Sequence, residues 1–583
     1  MKHGTRSTDK PLDRNRSDLS HSKPARESAD IVSPAGRWDG GTLVGWSVIA
    51  LVFATGLWIR WKIATGELLW LDELHTGWVV SGSFEQVLTR SAQGNQAPLF
   101  FGLVWSAIQW LGTSELSLRL VSLLAAMLAM VMAARFVWLQ TKSIAAATLT
   151  LTLIAIDDSF VRYATEARPY VLLHLASVVQ AACFWRSLQR WRKLSPDDQA
   201  TDSNHWLSTI GLLLSSWLVV YTHYTGVFLL AAEVLFLLPL LLGRYLTGNA
   251  IKEISVTIVL FTVGCLPLLL QMNQAFGRPS DWSLIAELPQ FQAEQAVNGI
   301  RWFGIPLVAV ALSTAIALLL KRRFPVVENQ TDSWLSIWWV SWIVAWFLIP
   351  LLIITRLHLY GIPIALSRYL SVGVIAGPIF AGAIVGTCRA HSRWIAIPLI
   401  LLASVYAHWQ GQFQLSSTLP RLQLSYRVIG SIVQDGQLPL LRSENWQAPI
   451  EVINNSADKT KWPLFLFGAV IEDANALVDT DPEFQSYLQF PVRSLYAVDD
   501  TGRIVFAGPT IQQPHFDDRH LNVVLERGGA WILVRHRPQI TQEIGNELER
   551  RIRSQLDDPN ATIELNWFGN NENLVHLISI EIK

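Results

Sequence analysis

The sequence predicts a mainly α-helical, polytopic membrane protein of about 11 transmembrane helices, followed by a soluble C-terminal α/β domain. The 583 residues are 51% hydrophobic, only 16% charged and include 26 tryptophans, which is too apolar a composition for an ordinary soluble protein of this length. Uncharged apolar runs recur between residues 40 and 407. Beyond residue 409 these runs become shorter and acidic residues outnumber basic ones.

The chain begins with a polar tail over 1–39, which has eight Lys/Arg and six Asp/Glu. The apolar run after this tail is about 20 residues long, which exceeds a signal-peptide core, and no clear small-residue cleavage site follows it. We therefore predict a disordered cytoplasmic tail over 1–39, a transmembrane domain over 40–409 and a C-terminal domain over 410–583. Lys+Arg and Asp+Glu both total 46, so the charge gives no sign of nucleic-acid binding.

Eleven apolar runs are candidate spans, because roughly 20 helical residues cross the hydrocarbon of a bilayer. They cover 40–59, 120–134, 143–156, 169–185, 206–222, 224–243, 254–277, 302–320, 333–355, 369–388 and 394–407. A further run, APLFFGLVWSAIQWLG over 97–112, is predicted to lie along the outer membrane surface. If it does not cross, 21 Lys/Arg lie on the side of the N-terminus and 10 in the outer loops, in line with the positive-inside tendency. Arg60 and Lys62, just outside the first span, are exceptions.

The C-terminal part, 410–583, contains 15 Lys/Arg, 22 Asp/Glu and no apolar run long enough to cross a membrane. Short runs such as LFLFGAV, IVFAG and AWILVRH are typical of strands. The segment TQEIGNELERRIRSQL spaces Ile544, Leu548, Ile552 and Leu556 four residues apart, as one face of an amphipathic helix does. These patterns predict a small α/β domain on the outer face. Its role stays open between a lid, a docking module and a packing appendage.

Unusual polar residues gather at the outer ends of the predicted spans. They are Glu67, Asp72, Glu73, His75 and Glu115 in the first outer loop, Asp157, Asp158, Arg162, Glu166 and Arg168 in the second, and His223, Tyr224, Arg278, Arg356, His358, Arg368 and Tyr369 at other helix ends. Any single one is explained equally well as a solvated loop residue. Together they predict a polar cleft at the membrane surface, where partial desolvation strengthens charge pairing.

Such a cleft suits a reaction with an anionic leaving group, bound by arginine, and a nucleophile whose proton goes to a carboxylate. Because nucleotide-sugars are cytoplasmic, a transferase on the outer face needs a donor that the membrane delivers. A sugar on a polyprenyl phosphate fits this requirement. Glu233 lies at mid-depth in a span, where it is either functional or hydrogen-bonded to a neighbouring helix.

Five stretches in order resemble the GT-C superfamily of membrane glycosyltransferases, in particular the bacterial relatives of protein O-mannosyltransferases and of the lipid A aminoarabinose transferase (family 39-like). They are LWLDELHT, QAPLFFGLVWSAIQWLGTSELSLRLVSLLAAML, RYATEARPYVL, THYTGVFLLA and SRYL, over roughly residues 43 to 410. The resemblance implies a GT-C-like fold with the APLFF helix at the membrane surface. It also implies that Asp72 is the catalytic base and that Glu73 supports it.

The resemblance further implies that Arg368 of SRYL binds the lipid phosphate of the donor. We group with it, as candidate donor-binding residues, Tyr369, His223, Tyr224 and Arg278. Glu166 and Arg168 match the second-loop acidic motif only approximately, since many relatives have an aspartate there, and Asp158 is the alternative. The proline pair of many relatives is Ala97-Pro98 here.

We therefore predict an inverting glycosyltransferase that moves a sugar from a polyprenyl-phosphate-linked donor to a hydroxyl of a lipid, glycan or protein. Its place is the bacterial inner membrane, with a cytoplasmic N-terminus. The alternative is a transporter or flippase of a glycolipid, in which the same charges line a substrate path. A scaffold that displays the C-terminal domain leaves the acids near the first span unexplained.

No organic cofactor is expected. A divalent metal held by Asp72, Asp158 and Glu166 stays open, because carboxylate clusters serve either purpose. The sequence has no P-loop, no His-Glu-x-x-His and no Gly-x-Ser-x-Gly, which argues against an ATP-driven pump, a zincin or a serine hydrolase.

Overall fold

The structure is mainly helical up to residue 409 and ends in a small mixed sheet. The computed structural model describes residues 40–94, 96–191, 205–275, 288–320, 333–409, 444–456, 459, 461–468, 486–487, 489–498, 504–508, 518–535, 538–556, 562–568 and 575–583. The predicted tail over 1–39, the cationic loop at 321–323 and Arg278 lie outside the described residues.

Eighteen described helices lie between residues 40 and 409. They are α1 (Gly40–Gly66), α2 (Leu71–Val80), α3 (Phe84–Gln93), α4 (Pro98–Leu111), α5 (Glu115–Thr141), α6 (Ile144–Ile156), α7 (Asp158–Ala164), α8 (Tyr170–Trp191), α9 (His205–Thr222), α10 (Val227–Leu242), α11 (Gly248–Gly264), α12 (Leu266–Ala275), α13 (Leu288–Gly299), α14 (Ile305–Leu320), α15 (Ser333–Leu359), α16 (Ser371–Val374), α17 (Ala376–Thr387) and α18 (Ala390–Trp409). Short 3₁₀ turns at Tyr224–Gly226 and Ser367–Leu370 and a π-helical turn at Ile300–Gly304 connect some of them.

Seven described helical stretches are long and apolar enough to cross a membrane, and an eighth results if α6 and α7, bent by 65°, count as one span. The seven are Leu43–Gly66, Glu115–Thr141, Tyr170–Trp191, Tyr224–Leu242, Leu288–Ala317, Ile337–Leu359 and Ser367–Thr387. All 11 predicted runs are helical where described. The run 254–277 is divided at Cys265 between α11 and α12. The protein is thus a polytopic membrane protein with seven or eight candidate spans among its described residues, and the count of 11 stays a prediction.

Small residues allow α17 to pack at the centre of the helical core. In the span Ser367–Thr387, which contains α17, 89% of the residues in the most apolar part are buried. A Cβ on Gly382 would lie 2.0 Å from Thr150 Oγ1 and 2.9 Å from the carbonyl oxygen of Ala146, so only glycine permits this contact with α6. Close backbone approach through small residues is the usual basis of helix packing in membranes, where lipid tails are as apolar as the side chains.

The bend between α6 and α7 is stabilised from both sides. Arg60, only 1% exposed, donates to the carbonyl oxygens of Ile154 (2.8 Å) and Ala155 (2.9 Å) at the end of α6. Asp157 caps α7 by accepting from the backbone N–H groups of Ser159 and Phe160, and it also forms an ion pair with Arg301. Arg60 lies within the span Leu43–Gly66 and not outside it as predicted, and its carbonyl partners explain why a buried arginine is tolerated there.

The C-terminal region, defined as the described residues from 444 to 583, contains a five-stranded sheet with the order β2-β1-β3-β5-β4. The pairs β1–β2 and β1–β3 are parallel, and β3–β5 and β4–β5 are antiparallel. The elements are α19 (Gln447–Asn455), β1 (Leu464–Gly468), β2 (Ile504–Gly508), α20 (Asp518–Arg527), β3 (Gly529–Arg535), α21 (Pro538–Gln555), β4 (Ile563–Phe568) and β5 (Val575–Ile582). The predicted stripe of α21 is confirmed, since Ile544, Leu548 and Ile552 are buried against the sheet.

Candidate active site

The paired acids lie in the first turn of α2, a position where helices favour carboxylates. Their surroundings differ sharply, because the Asp72 side chain is 24% exposed whereas that of Glu73 is fully buried. Neighbouring residues on a helix point about 100° apart. One acid of the pair therefore faces the protein interior while the other reaches a partly solvated cleft.

Glu73 forms a buried, two-pronged ion pair with Arg119 of α5. Arg119 donates from Nε to Glu73 Oε1 and from Nη2 to Oε2, both at 2.7 Å. The same guanidinium also donates to the carbonyl oxygens of Ala64, Glu67 and Leu68. These bonds fix the chain between α1 and α2, and the supporting role of Glu73 in catalysis stays a prediction.

The segment between α7 and α8, predicted as the second outer loop, is attached to α2 through Ala167. Its backbone N–H donates to Glu73 Oε1 (2.8 Å), and its carbonyl oxygen accepts from the Thr76 hydroxyl (2.8 Å). Because both backbone groups of Ala167 bind α2, the next residue, Arg168, lies beside Asp72.

Asp72 lies between two arginines from different parts of the chain. Its Oδ2 is 3.3 Å from Nη1 of Arg368 and 3.5 Å from Nη2 of Arg168. Arg168 Nη1 also donates to the Asp72 backbone carbonyl (3.2 Å). Burial has the largest single effect and lowers the pKa of Arg168, but Asp72, Tyr170 and Glu166 together raise that pKa above its ordinary value. Three predicted site residues thus meet in one cluster, Asp72–Arg168–Arg368.

Aromatic rings surround this cluster. The His223 ring lies between Tyr170 and Tyr369, with centroids 5.6 and 5.8 Å away, and the two guanidinium groups lie over the rings of Tyr170 and Tyr369. Burial first, and then the positive charges of Arg168 and Arg368, lower the pKa of His223 to about 3. The imidazole is therefore neutral.

Gln96 holds Arg168 from the side opposite Asp72. With its amide oxygen turned toward Arg168, the side chain accepts from Nη1 (3.2 Å) and Nη2 (3.3 Å). The Gln96 backbone carbonyl accepts from the Tyr224 hydroxyl (3.4 Å) and from Gln271 (3.2 Å). Tyr224 is therefore linked to the cluster through Gln96.

The remaining acids lie around the cluster rather than inside it. Glu166, 1% exposed, binds Arg162 at 2.9 Å, and Asp158 is buried in the first turn of α7. Glu294 of α13 accepts from the Ser367 hydroxyl, next to Arg368. Among the described residues, no three His, Cys, Asp or Glu side chains are placed to hold a metal ion. Asp72, Asp158 and Glu166, the open candidates for a metal site, therefore do not converge among the described residues.

Three further predicted residues of the outer ends do not join the cluster. Burial, followed by the charge of Arg168, lowers the pKa of His75 to about 4, and its ring packs on Trp78 and Tyr487. Arg356 is exposed and donates to the Tyr360 hydroxyl, while His358 Nδ1 accepts from the Ala365 backbone N–H. These residues have local structural contacts.

Sequence reasoning missed Arg119, Gln96 and Glu294. Arg119 is the first charge inside an otherwise apolar run, which is itself a signal, because a charge in a membrane helix needs a partner. Gln96 directly precedes the APLFF helix, but an uncharged polar residue there gives no signal. Glu294 lies in a helix that extends 14 residues upstream of the predicted span 302–320.

Comparison with known proteins gives structural similarities only. No family model and no curated protein matches the sequence. The structure resembles that of ArnT from Cupriavidus metallidurans, in the apo state (TM-score 0.49, 12% identity, 92% of this chain and 98% of that chain covered) and bound to undecaprenyl phosphate (TM-score 0.44, 12% identity, 93% and 98% covered).

A third similar structure is the oligosaccharyltransferase AglB from Archaeoglobus fulgidus in complex with an inhibitory peptide and a dolichol-phosphate (TM-score 0.40, 11% identity, 85% of this chain and 69% of that chain covered). ArnT and AglB both belong to the GT-C superfamily, which the sequence motifs resemble. Because the identities are 11 to 12% and the TM-scores lie below 0.5, what these proteins bind says nothing about this chain.

Proposed function

We propose that this protein is an inverting glycosyltransferase that takes a sugar from a polyprenyl-phosphate-linked donor and attaches it to an acceptor hydroxyl at the outer membrane surface. The observation that supports this most is the cluster Asp72–Arg168–Arg368. It combines one carboxylate with two guanidinium groups, which are the groups that deprotonate a hydroxyl and bind a phosphate, respectively.

In this reaction the acceptor oxygen attacks the anomeric carbon of the sugar, and Asp72 takes the hydroxyl proton. The bond between the anomeric carbon and the phosphate oxygen breaks with its electron pair on the leaving polyprenyl phosphate. Arg168 and Arg368 stabilise the charge of that phosphate, which grows in the transition state. Both arginines contact the same oxygen of Asp72 when no donor is bound. A phosphate that takes these contacts leaves the carboxylate available to the hydroxyl.

The environment of Glu233 favours the transferase over the transporter. A transporter needs polar groups at mid-membrane depth that face a substrate path. Glu233, only 6% exposed, accepts from Gln180 (2.8 Å), and Gln180 in turn accepts from Ser215. These contacts join α8, α9 and α10, so Glu233 serves helix packing.

The outer location of the site rests on the count of 21 against 10 cationic residues on the two sides. In a variant without Cys183, Cys265 and Cys388, we expect an impermeant thiol reagent to label Ser554→Cys but not Arg322→Cys in intact cells. Both positions should label after permeabilisation. Labelling of residue 322 alone in intact cells contradicts the orientation and the location of the site.

Gene deletion followed by mass spectrometry of glycolipids and envelope glycans tests the function itself. We expect one glycoconjugate to lose a sugar and the matching polyprenyl-phosphate-linked sugar to accumulate, and we expect the wild-type gene to reverse both changes. An unchanged glycan profile, or accumulation of a fully glycosylated lipid on the cytoplasmic side, refutes the transferase and favours the flippase.

Replacing Arg368 with lysine should weaken donor use by about 1 to 3 kcal/mol, the range for a charged hydrogen bond. Lysine keeps the positive charge but loses the planar fork that binds two phosphate oxygens. The measurement is the donor dependence of transfer in purified protein, with the expression level and membrane insertion as checks.

Arg356→Lys is the matched control, because Arg356 also lies at a helix end near residue 360, where it is exposed and binds the Tyr360 side chain. An arginine that merely extends to the membrane interface tolerates lysine. Equal donor kinetics for the wild type and Arg368→Lys therefore reject phosphate binding by Arg368 and leave Arg168 as the better candidate.

A further inference from the structure

One short segment of the C-terminal region packs against α2 and α5. We name this segment, 487 and 489–498, the clamp segment. Its Tyr487 ring contacts His75 and Trp78 of α2, with centroids 5.4 and 5.3 Å away. The clamp segment belongs to one buried apolar cluster with α2, α4, α5 and the sheet.

Phe490 contacts α2 at Gly77, where the helix has no side chain. A Cβ on Gly77 would lie 2.6 and 2.7 Å from two Phe490 ring atoms and 3.4 Å from Leu118 of α5. Phe490 is 2% exposed, so its ring has little room to move. Glycine normally weakens a helix interior by about 1 kcal/mol relative to alanine, and the close approach of Phe490 explains why glycine occurs here.

Tyr496 connects the clamp segment to the ion pair that holds Glu73. Its hydroxyl donates to Glu115 Oε1 (2.5 Å), and Glu115 lies one helical turn before Arg119 on α5. Burial and the charge of Glu115 raise the pKa of the Tyr496 hydroxyl above its ordinary value. Tyr496 is therefore a neutral hydrogen-bond donor to a carboxylate beside the Glu73–Arg119 pair.

These contacts matter because α2 has only 10 residues, and isolated helices of this length are marginal in water. Its first turn is fixed by Arg119, and the carbonyl of Trp78 in its last turn accepts from Arg90 (2.8 Å). The face between these two anchors is covered by Phe490 and Tyr487. The orientation of α2, and with it that of Asp72, therefore depends on residues more than 400 positions later in the chain.

We propose that the clamp segment positions the catalytic base: Phe490 and Tyr487 hold α2, and Tyr496 holds α5, so that Asp72 faces the two arginines. This inference rests on the proposed function for the role of Asp72. It assigns a part in catalysis to the C-terminal region, whose role the sequence leaves open.

The test uses full-length protein and a compensating pair of substitutions. Gly77→Ala should push Phe490 away, speed hydrogen–deuterium exchange of the 71–80 amides, and lower kcat about 10- to 100-fold, the scale for a misplaced catalytic group. The donor KM should change less than kcat, because Arg368 belongs to the separate turn Ser367–Leu370, whereas Arg168 is attached to α2 through Ala167. Adding Phe490→Leu to Gly77→Ala removes the clash and should restore both exchange and kcat. Gly248→Ala is the control, since a Cβ there meets nothing within 4 Å.

The two readouts separate the failure of the clamp from that of the proposed function. Unchanged exchange in Gly77→Ala overturns the clamp, and faster exchange with unchanged kcat overturns the positioning of Asp72. Loss of kcat that Phe490→Leu does not restore also overturns the inference. If the wild-type protein transfers no sugar, the proposed function and the catalytic part of the inference fail together, and exchange alone decides whether the clamp segment holds α2.

Discussion

Asp72→Asn is expected to abolish sugar transfer while the protein stays folded and inserted. Asparagine keeps the size of the side chain but cannot accept the proton of the acceptor hydroxyl, and loss of a general base alone costs on the order of 10² to 10⁴ in rate. Folding should survive, because Asp72 is partly exposed and its partners Arg168 and Arg368 have other contacts. The measurement is turnover with a matched donor and acceptor, together with the thermal unfolding midpoint in detergent.

Asp158→Asn and Glu166→Gln serve as comparisons, because both acids were considered for the second-loop motif. Wild-type turnover in Asp72→Asn, with a strong loss in either of these variants, would transfer the role of base to that residue. A loss of turnover in all three, with unchanged unfolding midpoints, would point to several acids acting in one step.

Glu73→Gln is expected to damage the fold rather than the chemistry. It leaves the Arg119 charge buried without its carboxylate, and breaking a buried ion pair in this way typically costs about 3 to 5 kcal/mol of folding free energy. The Glu73–Arg119 side chains are 0% and 1% exposed, so water cannot replace the lost partner. Unfolding by SDS titration in mixed micelles measures the change.

The double variant Glu73→Gln/Arg119→Met should recover part of the lost stability, because it removes the unpaired charge. Recovery stays incomplete, since Arg119 also binds three backbone carbonyls. Glu547→Gln breaks the exposed Glu547–Arg550 pair of α21 and should leave stability almost unchanged. If Glu73→Gln unfolds like the wild type but loses turnover, Glu73 acts in catalysis instead.

The helices were predictable because an apolar run near 20 residues has few alternatives to a helix in a bilayer. Their ends were less predictable. The helix α5 starts at Glu115, five residues before the predicted run, because Arg119 has its charge neutralised by Glu73. A rule that ends a span at the first charge cannot anticipate a buried partner 46 residues away.

The residues of the candidate site were predictable from the sequence, but the pairs that they form were not. Asp72, Arg168 and Arg368 were all identified from the sequence, and the structure brings them together. The different burial of Asp72 and Glu73 could not be predicted, since it depends on how α2 is rotated. That rotation is set by contacts with Arg119 and Phe490, which are distant in sequence.

The bend at Asp157 has a further consequence for the cleft. The carboxyl end of a helix carries a partial negative charge and the amino end a partial positive one. Arg60 places a positive charge at the carboxyl end of α6, and Asp157 places a negative charge at the amino end of α7. Each helix end at the bend therefore lies beside a charge opposite to its own partial charge. The segment that places Arg168 beside Asp72 follows directly after α7.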